Sequence, residues 1–162
     1  MKTALHLCDA AATESCGRAI ARGLHGGMIV ALHGELGTGK TTLVRGVLRG
    51  RGWSGPVKSP TYTLVEHYPF SSLYFYHFDF YRFADPAEWE TAGLADCFRG
   101  NSVCLVEWPE RVAGLLPVPD LDVALAYPAD GSDGRHASIQ AGTPAGERCL
   151  AAVAGAFAPI GH

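Results

Sequence analysis

The segment Gly34-Glu35-Leu36-Gly37-Thr38-Gly39-Lys40-Thr41 follows the pattern G-x-x-x-x-G-K-[ST]. Each fixed position has a physical task in holding a triphosphate. The glycines permit backbone conformations that let successive N–H groups turn inward toward phosphate oxygens. The helix that follows adds the partial positive charge of its N-terminus at the same point. Lys40 is a point charge on a flexible stem, able to reach the β- and γ-phosphates. The Thr41 hydroxyl is a hard oxygen ligand of the kind Mg²⁺ takes. Gly37, Thr38, Gly39, Lys40, Thr41 and Thr42 are therefore the expected nucleotide-binding residues, with ATP and Mg²⁺ as the expected cofactors. No N-K-x-D segment that would read guanine is present.

A Mg²⁺-nucleotide site also needs a carboxylate near the loop, commonly at the end of a neighbouring strand. Two acids compete for the role. Glu107 follows the apolar run Val103–Val106, and Asp79 lies late in the aromatic run HFDFYR. A half-buried Asp79 needs a partner, and a structural salt bridge to Arg82 would supply one. Between the Gly-rich loop and the next strand lies Lys58-Ser59-Pro60-Thr61-Tyr62-Thr63. In P-loop switches this region supplies a hydroxyl that senses the metal and γ-phosphate, which makes Ser59, Thr61 and Thr63 candidates. The alternative for these three is ordinary strand and turn hydroxyls. His77 and Asp79 alternate on one strand face, but an i, i+2 pair is not by itself a metal site. Trp89, Trp108 and the aromatics between Tyr74 and Phe83 read as packing.

These residues need elements to position them. Met28–Leu32 (MIVAL) is a continuous apolar run between glycines, as expected of a strand buried on both faces. A helix from Lys40 to about Leu48 must follow the loop. Before it, residues 3–7 suit a short strand, and Asp9 caps a helix from Ala10 to about Leu24. Thr61–Tyr68 and Leu73–Phe80 are β-branched and aromatic and read as an antiparallel pair. Asp85-Pro86-Ala87-Glu88 has the N-cap, N1 and N3 residues of a helix start. Val103–Val106 is a second buried-type strand. Leu121–Tyr127 and Arg135–Ala141 form a terminal hairpin, and Ala145–Phe157 a closing helix. The whole implies an α/β fold, a P-loop NTPase-type three-layer sandwich. Its mixed central sheet has a parallel core containing 28–32 and 103–106, with antiparallel hairpin additions. The 162 residues fit a single domain spanning 1–162.

Bulk properties exclude several classes. A net charge of −3 argues against broad, sequence-independent nucleic-acid binding, which needs a basic face, and leaves room for a local basic patch. The five cysteines are odd in number and lack C-x-x-C spacing, against a zinc site or disulfide framework and in favour of small buried hydrophobes in a reducing cytoplasm. No segment reads as a signal peptide or a membrane span.

GELGTGKTTLVRG, VKSPTYTLVE, YHFDFYR with ADP-x-E-W-E, and LVEWPER together resemble the TsaE family over about residues 28–112. VKSPTYTLVE and the acid-Trp-Pro block are much more specific than the P-loop alone, and the tail after residue 115 adds little. The resemblance implies the small ATPase of the bacterial machinery for tRNA threonylcarbamoyladenosine at adenosine 37. Its implied partners are TsaD and TsaB, with tRNA met only indirectly or within the complex. It implies ATP hydrolysis that resets the TsaD–TsaB complex, with Lys40, Asp79 and Glu107 as catalytic residues; with no arginine finger evident in the sequence, hydrolysis by the chain alone should be slow and rise with a partner. Thr41 and Glu107 would ligate the metal, with Asp79 as a water-positioning acid, Thr61 in the switch-like loop and Trp108 at the site. It also brings Arg135 to the nucleotide. A small-molecule kinase or a non-catalytic nucleotide sensor would share the same loop.

Overall fold

The computed structural model describes residues 1–157. Chain order is β1 (Lys2–Leu7), α1 (Ala10–Ala21), β2 (Ile29–His33), α2 (Lys40–Gly50), β3 (Val65–Pro69), β4 (Tyr74–Asp79), α3 (Ala87–Thr91), β5 (Ser102–Glu107), β6 (Leu121–Ala126), β7 (Arg135–Ala141) and α4 (Pro144–Ala156). Short 3₁₀ turns at Leu94–Phe98 and Pro109–Val112 flank β5. The strands form one sheet in the order β1-β7-β6-β2-β5-β4-β3. The pairs β6·β2, β2·β5 and β5·β4 are parallel, and the outer pairs are antiparallel. Each expected hairpin thus gives one strand to the parallel core; its other strand is the edge β3 in one case and, in the other, β7, which lies between β6 and β1.

Period-two alternation assigns the faces. Val30, Leu32, Phe75, Val103, Leu105, Val123 and Ile139 pack under α1, α2 and α4. Ile29, Phe78, Phe80, Cys104 and Val106 face the other way, against Trp89 of α3, Leu94 and Val112. Helices therefore lie on both faces, but the second layer is thin, and the outward Ala124, Ala126 and Gln140 are exposed.

Local signals act as the residue types dictate. The Asp9 carboxylate accepts from Ala12 N at 2.8 Å. Asp85 accepts from Ala87 N at 2.9 Å while its own N donates to Glu88 Oε1 at 3.4 Å, a reciprocal capping box. Thr143 caps α4 through Gly146 N. Helices α1 and α2 meet backbone to backbone: a methyl on Gly17 would overlap the Leu43 carbonyl, and one on Gly46 the Glu14 carbonyl. That contact braces the helix carrying Lys40 and Thr41.

Two expectations differ. Helix α1 stops at Ala21, because Gly23 and Leu24 N–H groups take i−3 carbonyls in a tightened last turn. Thr61–Leu64 is a turn, not strand: Leu64 N donates to Pro60 O at 2.9 Å, and Leu64 adopts φ 67°. Of the cysteines, Cys16, Cys104 and Cys149 are buried as expected, whereas Cys8 is exposed. Among the described residues no helix is long and apolar enough to cross a membrane.

Candidate functional site

The Gly-rich loop leaves the C-terminal end of β2 and runs straight into α2, whose N-cap Gly39 has φ 105°. That angle is open to glycine and closed to most other residues. The β4 and β5 ends lie beside it, and the parallel register sets Asp79 directly opposite Glu107. Lys40, Asp79 and Glu107 are all buried. The Thr41 hydroxyl donates to Glu107 Oε2 at 3.0 Å. Asp79 accepts from Ser59 Oγ at 3.0 Å, Thr61 Oγ1 at 3.4 Å and Tyr81 N at 2.9 Å. The turn at 59–64 is thereby clasped to the site, and the Asp79–Arg82 salt bridge is not formed. Arg82 instead sits over the exposed Tyr62 ring, 4.7 Å from its centroid. Thr63 lies off the cleft, its hydroxyl donating to Val65 O.

These groups line a cleft of about 490 Å³, together with Leu36, Tyr81, Arg82 and Trp108. A second cleft of about 190 Å³ adjoins it across the loop, sharing Gly37, Gly39 and Thr42 and reaching Cys8, Asp9, Thr13 and Arg135. Lys40 Nζ donates to the carbonyls of Gly34 and Glu35 and lies 3.8 Å from the Trp108 ring centroid. Its burial pushes the ammonium pKa down, opposed by the acids Glu107, Asp79 and Glu110. Trp108 has φ 58°. Among the described residues it and Leu64 are the two non-glycine residues with positive φ. Such conformations cost about 1–3 kcal/mol each and persist where surrounding structure over-determines them. Both border this site.

Asp79 and Glu107 make no ion pair to Lys or Arg among the described residues. The two buried carboxylates meet hydroxyl, amide and imidazole groups, and the Lys40 ammonium is the cationic side chain beside them in the cleft. The donor set, one hydroxyl and one carboxylate 3.0 Å apart, is hard oxygen throughout. It suits Mg²⁺, which keeps several waters and takes few protein ligands beside substrate phosphates. No group of three or more His, Cys, Asp or Glu fit to hold a metal occurs among the described residues.

One residue outside the expected set, His77, bears directly on the site, and Arg135, expected near the nucleotide, lies against the loop. His77 is fully buried, with Nε2 2.5 Å from Glu107 Oε2. Arg135 grips the outside of the loop, donating through Nε to Thr38 O at 3.1 Å and through Nη2 to Gly37 O at 3.2 Å. Its guanidinium also lies 4.4 Å from the Tyr127 ring centroid. Holding those carbonyls outward keeps the paired N–H groups turned toward the phosphate side. The i, i+2 spacing of His77 and Asp79 marked them as sharing a face. Nothing local marked Glu107 as their neighbour.

A glycine-rich loop between a buried parallel strand and a helix, with a lysine, a hydroxyl and two strand-end acids around it, defines a P-loop α/β protein. The family model described as "Threonylcarbamoyl adenosine biosynthesis protein TsaE" matches residues 7–136. The chain belongs to the TsaE family. It is similar to the tRNA threonylcarbamoyladenosine biosynthesis protein TsaE of Haemophilus influenzae, at 47% identity over 125 residues and 77% of each chain. It is also similar to that of Treponema pallidum, at 38% over 120 residues, 74% of this chain and 88% of the relative. The crystal structure of Bacillus subtilis YdiB superposes with a TM-score of 0.77 at 25% identity, covering 96% of both chains.

Proposed function

We propose that the chain is the ATP-binding and ATP-hydrolysing subunit of the machinery that makes tRNA threonylcarbamoyladenosine, acting as a single domain over residues 1–162 in the cytoplasm. It would drive or reset a complex of TsaD and TsaB, and meet tRNA only through that assembly. The observation that carries this is the convergence of Lys40, Thr41, Asp79 and Glu107 on one cleft at the ends of three parallel strands. Ligands of open α/β sheets bind at this carboxyl end.

The loop amides of Gly37–Thr42 and Lys40 would bind the phosphates, and the adjoining cleft between the α1 N-terminus and Gly134-Arg135 would take the nucleoside. Thr41 and Glu107 would hold Mg²⁺, which would supply neutralisation of the phosphate charge. Lys40 would leave its carbonyl partners at Gly34 and Glu35 to reach the triphosphate. Asp79 would orient the attacking water while holding the Ser59–Thr61 turn. The water oxygen would bond to the γ-phosphorus as the bond to the bridging oxygen breaks, and the proton the water loses would leave on the inorganic phosphate as ADP and phosphate are released. Lys40 and the amides stabilise the charge that shifts onto the leaving oxygen.

Hydrolysis by the chain alone should be slow. Among the described residues the one arginine lining the larger cleft, Arg82, is stacked over Tyr62 and not directed at the γ-phosphate position. A partner that completes the clamp should accelerate the reaction. The test is phosphate release by the wild type and by Glu107→Gln, each with and without TsaD–TsaB. The expected result is slow release that rises with the partners and collapses in the variant. A wild-type rate unchanged by the partners would sink the stimulation claim.

A further inference from the structure

The geometry points to His77 as a positioning residue that sets the orientation of the Glu107 carboxylate for metal binding. This rests on the assignment of Glu107 as a metal ligand proposed above. His77 lies on β4 two residues before Asp79, with no exposed surface. Its Nε2 and the Thr41 hydroxyl meet the same atom, Glu107 Oε2, at 2.5 Å and 3.0 Å. No hydrogen bond engages Oε1 among the described residues, while Glu107 lines the cleft. Two donors thus pin one oxygen and leave the other for a ligand.

The donors differ in what they do. A hydroxyl has one hydrogen and two lone pairs. By giving its hydrogen to Glu107, Thr41 keeps its lone pairs available to a cation. His77 has no such second use. Its Nδ1 is buried and has no hydrogen-bond partner among the described residues. A carboxylate accepts, so Nε2 carries the hydrogen of this bond, and Nδ1 is left without a partner. A residue serving the core alone would be better apolar, because an unpartnered buried nitrogen carries a penalty that a hydrocarbon avoids. The imidazole is kept for the one bond it makes. Hydrogen bonds to a ligating carboxylate fix its orientation, and losing such a partner typically weakens metal binding by about 10- to 100-fold.

The experiment is titration of the full chain with Mn²⁺ in the presence of ADP, following free Mn²⁺ by electron paramagnetic resonance. Four variants are compared: His77→Leu, His77→Gln, His77→Asn and Glu107→Gln. His77→Leu should weaken Mn²⁺ binding by about 10- to 100-fold. His77→Gln extends its amide nitrogen to about the place of Nε2 and should recover most of the affinity. His77→Asn ends near Nδ1 and should not. Gln and Asn are both polar and buried at the same site, so their contrast separates orientation from folding even where the leucine variant is unstable. Equal losses in Gln and Asn would make His77 merely structural and overturn the inference. So would wild-type affinity in all three variants while Glu107→Gln loses the metal. Wild-type affinity in Glu107→Gln itself would instead remove Glu107 as a ligand, a distinct failure that takes the inference with it.

Discussion

The turn at residues 59–64 is held to the site by side-chain hydroxyls, which makes its mobility open to measurement. Replacing Ser59 by Ala and Thr61 by Val removes both donors to Asp79 Oδ2 and leaves the carboxylate and strand β4 intact. A hydrogen bond to a charged group contributes about 1.5–3 kcal/mol. The 3.4 Å Thr61 bond belongs below that range, and both hydroxyls regain water when released, so the pair should contribute about 2–4 kcal/mol. At about 1.4 kcal/mol per factor of ten, local opening should become about 30- to 700-fold more frequent. The reporter is the Leu64 amide, which donates to Pro60 O only while the turn is closed. Hydrogen exchange at Leu64 in the double variant should accelerate by that factor while amides of central strand β5 stay protected. Ser59→Ala alone should account for most of the effect, since its bond is the shorter. Leu64 exchange within about three-fold of wild type would refute the clasp, because the lost bonds are then worth under about 0.7 kcal/mol. Equal acceleration in β5 would show that the substitutions loosen the whole domain instead.

Three further outcomes follow from other parts of the structure. Arg135→Ala removes both bonds to the Gly37 and Thr38 carbonyls and should weaken binding of a fluorescent ADP analogue by about 5- to 30-fold, equivalent to about 1–2 kcal/mol; Arg135→Lys should recover little, since one ammonium cannot reproduce the fork. Gly46→Ala forces α2 away from the Glu14 carbonyl on α1 and should destabilise the fold by about 1–3 kcal/mol in urea, with weaker nucleotide binding because α2 carries Lys40 and Thr41. Burial raises the thiol pKa of Cys16 from 9.0 to about 12 and that of Cys149 to about 11, and raises that of Cys104 as well. Unfolded thiols therefore ionise first. The stability these groups confer is complete below pH 9.0 and is lost as pH rises toward their folded values. Cys97, Tyr68 and Tyr76, also raised by burial, act in the same sense, whereas Lys40, with its lowered pKa, acts in the opposite sense below 10.5. Urea midpoints should fall between pH 9 and 11, and less steeply in Cys16→Ala.

Much of the molecule is local and could be read as such. The phosphate loop is contiguous, since the buried run Ile29–Leu32, the glycines and the helix from Lys40 follow one another in the chain. Their chemistry needs no distant partner to be recognised. The caps at Asp9, Asp85 and Thr143 likewise act within three or four residues. Glu107 could be singled out because an acid closing an apolar run marks a strand end.

What the tertiary structure alone decided is how these pieces meet. Register between parallel strands joined by long crossovers is set by core packing and not by any local periodicity. That register puts Asp79 opposite Glu107, and so brings His77 to a carboxylate 30 residues away. Arg135 reaches the loop across 97 residues for the same reason: β7 is delivered by a hairpin whose partner β6 lies against β2. Thr61–Leu64 shows the reverse case, a β-prone segment that curls because Asp79 and Pro60 offer its hydroxyls and amides better partners than a strand would. Side chains that seek partners within a few residues write their structure into the sequence. Those whose partners are chosen by the packing of distant strands do not.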